Sequence, residues 1–198
     1  MQRYNDRQKR NDRKIENYLE HIQKGKQEKP FYEIIVQVGN KDDMGVNSHN
    51  KEMSKAILDE YMKEFQKRNP YLYVFNAHLH MDEATPHLHI DFIPFTTNSK
   101  RGLDTRVSMK QALANQGFNG GTREETEWRQ WVKSEKQALS KVMQEHNVEW
   151  EFQGNDKEHL SVLDYKKQER EKEIAVLDNQ IAEKKDEFQT VQSRIQNY

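Results

Sequence analysis

The alternation of apolar and polar residues predicts three β-strands in the first half of the chain. Residues Phe31–Val38 are apolar and β-branched between Pro30 and Gly39, which is typical of a buried strand. Two further strand-like runs, Tyr71–His80 and His87–Phe95, follow. Because only six residues separate them, we expect an antiparallel, hairpin-like pair.

The remaining apolar positions recur at helical spacing. They predict four helices: residues 2–24, 51–68, 108–116 and 122–146. The second has the clearest apolar stripe, formed by Met53, Ile57, Leu58, Tyr61, Met62 and Phe65. The fourth begins at Thr122, which has capping-box spacing with Glu125. We expect polar loops at 40–49 and 96–107 and a last short strand at Val148–Phe152.

These elements predict an α+β fold of the two-layer α/β sandwich type. In it, the antiparallel sheet has helices on one face and the histidines described below on the other. Residues 1–160 would form this domain, and residues 161–198 a C-terminal helix. A length of 198 residues suits one domain with such an extension.

A heptad pattern begins at Ile174. Its apolar seam is Ile174, Leu177, Ile181, Phe188, Val191, Ile195 and Tyr198, and Lys184 fills the missing position. A single amphipathic helix packed on its own domain would give a similar pattern. We favour a coiled coil, and therefore a homodimer through this helix.

Composition narrows the class of protein. The chain has no cysteine, which excludes a disulfide framework, a thiolate zinc site and a cysteine nucleophile. No stretch approaches 18 apolar residues, and the first thirty residues contain no apolar signal-peptide region. We therefore expect a soluble cytoplasmic protein that does not contact a membrane.

Positive charge is concentrated locally, although 32 basic and 33 acidic residues nearly cancel overall. Two groups are candidate phosphate contacts: Arg7, Arg10, Arg13 and Lys14 near the N-terminus, and Lys100, Arg101 and Arg106 after the hairpin. Ordinary solvated charge explains both groups equally well. We assign Trp128 and Trp131 to packing between elements rather than to base stacking.

Four of the eight histidines lie between Asn76 and Pro94. Because side chains alternate along a strand, His87 and His89 share one face. Antiparallel pairing would bring His80 close to both of them. Three neutral imidazoles at one point are suited to a divalent metal, since imidazole is its commonest nitrogen ligand. His78 is a weaker candidate that would lie beside the ligands or be buried.

The residues His87-Leu88-His89 resemble the histidine pair of the HUH nucleases, which act on single-stranded DNA. The longer string from His80 to His89, HMDEATPHLH, with Pro94 after it, is similar to the H-x-D-E-x-T-P-H-x-H-x-x-x-x-P motif of the Mob/Pre plasmid mobilisation relaxases, also called plasmid recombination enzymes.

This resemblance implies an enzyme that nicks one DNA strand at a plasmid origin of transfer and stays attached to the 5′ phosphate. His80, His87 and His89 would hold one divalent ion, Mn²⁺ first, with Mg²⁺, Zn²⁺, Ni²⁺ or Co²⁺ as alternatives. Glu83 would be the catalytic carboxylate, as a base or as an orienting group. Single-stranded origin DNA would be the partner.

One feature of the family has no counterpart in this sequence. The resemblance implies an N-terminal segment like His-Asn-x-x-Arg that carries the nucleophile, and neither Tyr18 nor His21 has that context. We therefore expect residues 1–198 to bind the ion and single-stranded DNA without forming a covalent adduct.

Two other functions fit parts of the pattern. A non-catalytic DNA-binding or assembly module would use the metal only structurally, and the missing nucleophile segment favours it. A hydrolytic metalloenzyme on another fold is the third possibility, but the sequence has no second metal motif such as H-E-x-x-H.

Overall fold

The computed structural model describes residues 1–25, 28–99, 102–149 and 162–196. The chain divides into two compact units, Met1–Trp150 and Glu151–Tyr198. The first contains a sheet and six helices among its described residues, and the second contains one long helix.

The sheet is antiparallel, with strand order β1-β3-β2, and a short β4 pairs with the end of β3. Its strands are β1 (Tyr32–Gln37), β2 (Leu72–His80), β3 (His87–Thr96) and β4 (Arg106–Val107). The three predicted strands are confirmed to within one residue at each end. β4 lies in the segment predicted as a polar loop, where the buried Val107 pairs with Phe95.

Strand β3 separates the two faces of the sheet. Leu88, Ile90 and Phe92 are almost completely buried beneath the helices. The intervening residues His87, His89 and Asp91 lie on the opposite, open face. This alternation confirms the two-layer α+β arrangement predicted from the sequence.

Seven helices complete the described chain: α1 (Gln2–Asn5), α2 (Tyr18–Lys24), α3 (Lys41–Met44), α4 (Lys51–Arg68), α5 (Met109–Asn115), α6 (Glu127–Glu145) and α7 (Val162–Gln196). Helix α4 has the predicted bounds and buries its apolar stripe, including Ile57 and Phe65, against the sheet. Trp131 of α6 packs edge-to-face against Phe92, with ring centroids 6.1 Å apart. The core therefore lies between the sheet and helices α4, α5 and α6.

The prediction of one helix over residues 2–24 is wrong. After α1 the chain makes a short 3₁₀ turn at Asn11–Arg13 and begins α2 only at Tyr18. The Asn5 side chain donates to the Ile15 carbonyl and accepts from the Ile15 N–H, at 2.7 and 2.8 Å. The Asn17 side chain then caps α2. These local polar contacts outweigh a helical pattern that has few apolar positions.

The predicted start of α6 is also wrong. The Thr122 hydroxyl accepts the Glu125 N–H at 3.0 Å, but this contact closes a turn. Helix α6 begins at Glu127, and the Thr126 hydroxyl accepts the Arg129 N–H as its N-cap. Thr122 and Thr126 each accept the N–H of the third residue after them. Only Thr126 caps the helix, because it directly precedes the turn that carries Trp128 and Trp131.

Two smaller predictions also need correction. The 40–49 segment, predicted as a loop, contains α3, which begins with a capping box formed by Asn40 and Asp43. Residues 148–149 are not in a strand, and residues 150–152 of the predicted Val148–Phe152 strand lie outside the described residues.

A buried polar network joins α4 to α6. The Glu135 carboxylate accepts hydrogen bonds from the Tyr61 hydroxyl at 2.6 Å and from the Asn69 amide at 3.0 Å, and it pairs with Arg68 at 2.9 Å. Trp131 donates its indole N–H to Asn69 at 2.7 Å. Burial, reinforced by the neighbouring Glu135, raises the pKa of Tyr61 well above its usual range, so the phenol stays protonated as a donor. The network fixes the helices that support the sheet.

Helix α7 is 35 residues long. Four of its seam residues are more than half exposed in this chain: Ile174, Leu177, Ile181 and Phe188. Positions 191 and 195 lie within the helix, and Tyr198 lies outside the described residues. Among the described helices, none is long and apolar enough to cross a membrane.

Candidate metal centre

Three histidines converge on the open face of the sheet. In the β2–β3 register, His80 lies opposite His87 and His78 lies opposite His89. The imidazole centroids of His80, His87 and His89 are 5.0 to 5.1 Å apart. Each ring offers a nitrogen, and these three atoms lie within 4.8 Å of one another. The predicted convergence is confirmed, and the cluster could hold a metal ion.

Two of the imidazoles are oriented by hydrogen bonds at Nδ1. His87 Nδ1 lies 2.9 Å from the Thr85 carbonyl oxygen, and His89 Nδ1 lies 2.7 Å from Glu33 Oε1. In the neutral tautomer that donates these bonds, the proton is on Nδ1 and Nε2 keeps its lone pair. Both rings could then bind an ion through Nε2. Histidine ligands are usually oriented in this way, by a hydrogen bond from the other ring nitrogen to a carboxylate or carbonyl that does not itself touch the metal.

The Glu83 carboxylate lies near the rings of both His80 and His87. Its carboxylate oxygens are 4.0 Å from His80 Nδ1 and 3.9 Å from His87 Nε2, and Asp82 is 3.7 Å from His80 Nδ1. These distances are too long for direct hydrogen bonds. Glu83 is 63% exposed, whereas the His87 side chain is only 12% exposed. Glu83 therefore stands at the solvent side of the cluster.

The β2–β3 connection is held in place by its surroundings. Thr85 and Pro86 are buried, and the Val46 N–H donates to the Ala84 carbonyl at 3.2 Å. A Cβ at Gly45 would collide with the Lys41 carbonyl oxygen and lie 3.1 Å from the Ala84 carbonyl oxygen. A glycine at this position allows the two chain segments to approach, and their contact fixes the loop that carries Glu83.

Glu33 is the site residue that sequence reasoning missed. It belongs to the apolar strand β1, where it lies opposite Asp91 and reaches diagonally to His89. The available signal was that Glu33 is the only acid in this apolar strand. The sequence could not show its partner, because His89 is 56 residues away along the chain. His78 lies on the same face, exposed, with its ring centroid 4.5 Å from that of His80, but it is outside the three-nitrogen cluster.

The basic residues predicted to contact DNA have varied surroundings. Arg7 lines a cleft of about 880 Å³ together with Arg3 and the loop residues Asn98 and Thr105. Arg13 and Lys14 are exposed. Lys100 and Arg101 lie outside the described residues.

Two of the predicted DNA contacts already have acidic partners. Arg10 forms an ion pair with Asp12 at 2.7 Å, and Arg106 forms one with Glu28 at 2.9 Å. Only the Arg106 pair is substantially shielded from solvent, with about a third of the arginine side chain exposed. We assign Arg106 mainly to joining the N-terminal segment to β4.

Tyr18 and His21 lie together in α2, away from any sequence resembling a nucleophile motif. Their rings are stacked with centroids 6.3 Å apart. The Tyr18 hydroxyl oxygen accepts the Val107 N–H at 2.8 Å, and burial raises the pKa of this phenol. Tyr18 therefore has a structural contact that a reactive hydroxyl would have to give up.

Comparison with known proteins gives a consistent result. A 31% identical plasmid recombination enzyme of Bacillus thuringiensis aligns over 169 residues, which are 73% of this chain and 37% of that protein. A plasmid recombination enzyme of a Bacillus species is 29% identical over 68% of this chain and 28% of its own length. A type 2 enzyme of Staphylococcus aureus is 27% identical over 72% and 30%.

This chain thus spans about a third of the length of these relatives. No solved structure matches it. The family model Mob_Pre, described as plasmid recombination enzyme, matches residues 1–167. That match covers the sheet, the helices packed on it and the whole histidine cluster, and the chain belongs to the Mob_Pre plasmid recombination enzyme family.

Proposed function

We propose that this chain is a metal-dependent relaxase domain. It would bind single-stranded DNA at a plasmid origin of transfer and take part in nicking one strand. The observation that carries the proposal is the convergence of His80, His87 and His89 on the open face of the sheet, in a chain of this family. Plasmid DNA as substrate would place the protein in the cytoplasm.

The three imidazoles would hold one divalent ion, with Mn²⁺ as the first candidate. Such a set of three neutral nitrogen donors leaves coordination positions open, unlike a closed structural site. A divalent ion bound there would polarise the scissile phosphate and stabilise the charge that develops on its oxygens. The donor set also suits Zn²⁺, Ni²⁺ or Co²⁺, and Mg²⁺ less well because it prefers oxygen ligands.

The other site residues would assist in distinct ways. Glu33 keeps the proton of His89 on Nδ1 and so directs Nε2 outward. Glu83, exposed at the mouth of the cluster, would accept a proton or orient a water molecule beside the phosphate. For the DNA backbone, Arg7, Arg13 and Lys14 are candidate contacts, because they are exposed and form no ion pair with an acid among the described residues.

A second candidate function is a non-catalytic DNA-binding or assembly module that retains the metal. The contact of the Tyr18 hydroxyl with β4 favours it, because that phenol is half-buried and already accepts a hydrogen bond. In this case the ion would contribute to folding or DNA binding but no strand would be cut. The two functions therefore differ in whether the bound strand is cut.

We further propose that two copies associate through α7. The exposed seam residues would bury one another in a parallel or antiparallel coiled coil, and Lys184 within the seam would keep the dimer weak.

The function is tested with a labelled single-stranded oligonucleotide containing the plasmid's origin sequence. We expect residues 1–198 to bind it more tightly with Mn²⁺ than with chelator, and the His80→Ala, His87→Ala and His89→Ala variants to lose this metal-dependent gain. Fluorescence anisotropy measures binding, and denaturing electrophoresis detects cleavage and protein-linked DNA. We expect no covalent adduct from this chain.

The outcomes of this experiment separate the alternatives. Cleavage of the strand that needs both Mn²⁺ and the histidines would favour the relaxase over the module. Binding that is independent of both metal and the histidines would contradict both functions, because each retains the metal. A protein-linked band would establish nicking and show that a nucleophile within residues 1–198 was overlooked, and peptide mapping would identify it. His49→Ala, which removes a histidine outside the cluster, serves as the control.

Glu33→Gln should weaken Mn²⁺ binding by about 10- to 100-fold, because an amide cannot hold the His89 ring as a carboxylate does. Isothermal titration calorimetry measures the affinity. Asp91→Asn is the matched control, since Asp91 lies opposite Glu33 on the same face but bonds to Asn76 instead of a ligand imidazole. Equal affinities for wild type and Glu33→Gln would show that Glu33 does not orient a ligand.

Leu177→Glu should convert a weak dimer into a monomer at micromolar concentration, because it introduces a charge into the proposed seam. Val176→Glu should leave the dimer intact, although both side chains are 56% exposed in this chain, because position 176 is off the seam. Multi-angle light scattering measures the mass of each. A monomeric wild type, or equal effects of the two substitutions, would refute the coiled coil.

A further inference from the structure

A group of exposed aromatic side chains lies on the same face of the sheet as the imidazoles. Phe31, Tyr73 and Phe75 are 51%, 59% and 49% exposed. Together they are called the aromatic patch below. Such exposure is unusual for large rings beside a sheet, because each would gain free energy by burial.

The strand register defines where the patch lies. Tyr73 is opposite Ile93, and Ile93 has the same parity along β3 as Asp91, His89 and His87. Phe31 precedes Tyr32, whose ring stacks on Phe92 under the helices, so strand alternation directs Phe31 to the open face. Ile93 is four residues from His89, which corresponds to about 13 Å along the strand.

Phe31 and Phe75 support each other across the sheet. Their ring centroids are 5.7 Å apart and the rings are nearly perpendicular, at 88°. The two residues belong to opposite sides of β3, because β1 and β2 flank that strand and Phe75 stands at the β-bulge between Val74 and Asn76. An edge-to-face pair leaves ring faces open to solvent, where a flat group can stack.

The size of the patch distinguishes between possible occupants. Three half-exposed rings offer about 300 Å² of apolar surface, taking about 200 Å² for each whole ring. A stable protein partner needs about 800 Å² on each side. Polar side chains also interrupt the surface between the patch and the imidazoles: Glu33, Asn76 and Asp91. A small aromatic surface on the same face as a cluster proposed to bind a DNA phosphate suits stacked bases better than a second protein.

We propose that the aromatic patch stacks unpaired bases of the same DNA strand whose phosphate lies at His80, His87 and His89. This proposal rests on the proposed function and adds to it a base-stacking subsite with little sequence preference, since every base has a flat face. The DNA strand would cross the open face of the sheet from the imidazoles towards Phe31, next to the start of β1, and the bulge of β2.

The test compares base-bearing and abasic single strands in the presence of Mn²⁺. Phe31→Leu and Phe75→Leu keep apolar volume but remove the ring, so the fold should survive, as circular dichroism melting would verify. We expect each to weaken binding of a dT oligonucleotide by about 5- to 100-fold. Binding of an otherwise identical strand with abasic sites should change less than about twofold. Leu19→Ala, 53% exposed on α2, is the control.

Each outcome supports or refutes the stacking subsite. Unchanged dT binding by both Phe→Leu variants, or equal losses for the dT and abasic strands, would overturn it. If those variants bind normally while the His→Ala variants lose Mn²⁺-dependent binding, the proposed function stands and only the subsite fails. If the wild-type chain gains no DNA affinity from Mn²⁺, the proposed function fails, and a base-dependent loss in the variants would still support stacking.

Discussion

The alternation of side chains along β3 is the constraint on which both the core and the candidate metal centre depend. Leu88, Ile90 and Phe92 face the helices, and burying each contributes about 1.5–3 kcal/mol. A slip of one residue would move all three to solvent and bring the imidazoles into an apolar core. The register that packs the core therefore also holds His87 and His89 on the open face, beside His80 of the neighbouring strand.

Two of the three imidazoles, His87 and His89, are preorganised by hydrogen bonds to neighbouring elements. Thr85, buried in the β2–β3 connection, orients His87 through its carbonyl group, while Glu33 of β1 orients His89. Behind the sheet, Glu135 joins α4 to α6 and so stiffens the layer against which β3 packs. A site built on strands in this way needs little rearrangement to bind an ion.

Sequence reasoning succeeded where one local pattern was decisive. The strands, helix α4 and the convergence of three histidines all follow from periods of two or 3.6 residues. It failed where polar contacts compete at short range, as in the Asn5–Ile15 pair that breaks the predicted N-terminal helix, or in the choice between Thr122 and Thr126 as cap. Glu33 could not be assigned, because its contact with His89 depends on strand order and register.

X-ray absorption spectroscopy of the chain loaded with one equivalent of Mn²⁺ tests the central claim most directly, because it reports the ligands of the ion itself. We predict a first shell that includes nitrogen, with the multiple-scattering signature of three imidazoles, reduced to two in the His89→Ala variant. A shell of oxygen alone, unchanged by that substitution, would contradict the assignment of His80, His87 and His89 as the metal centre.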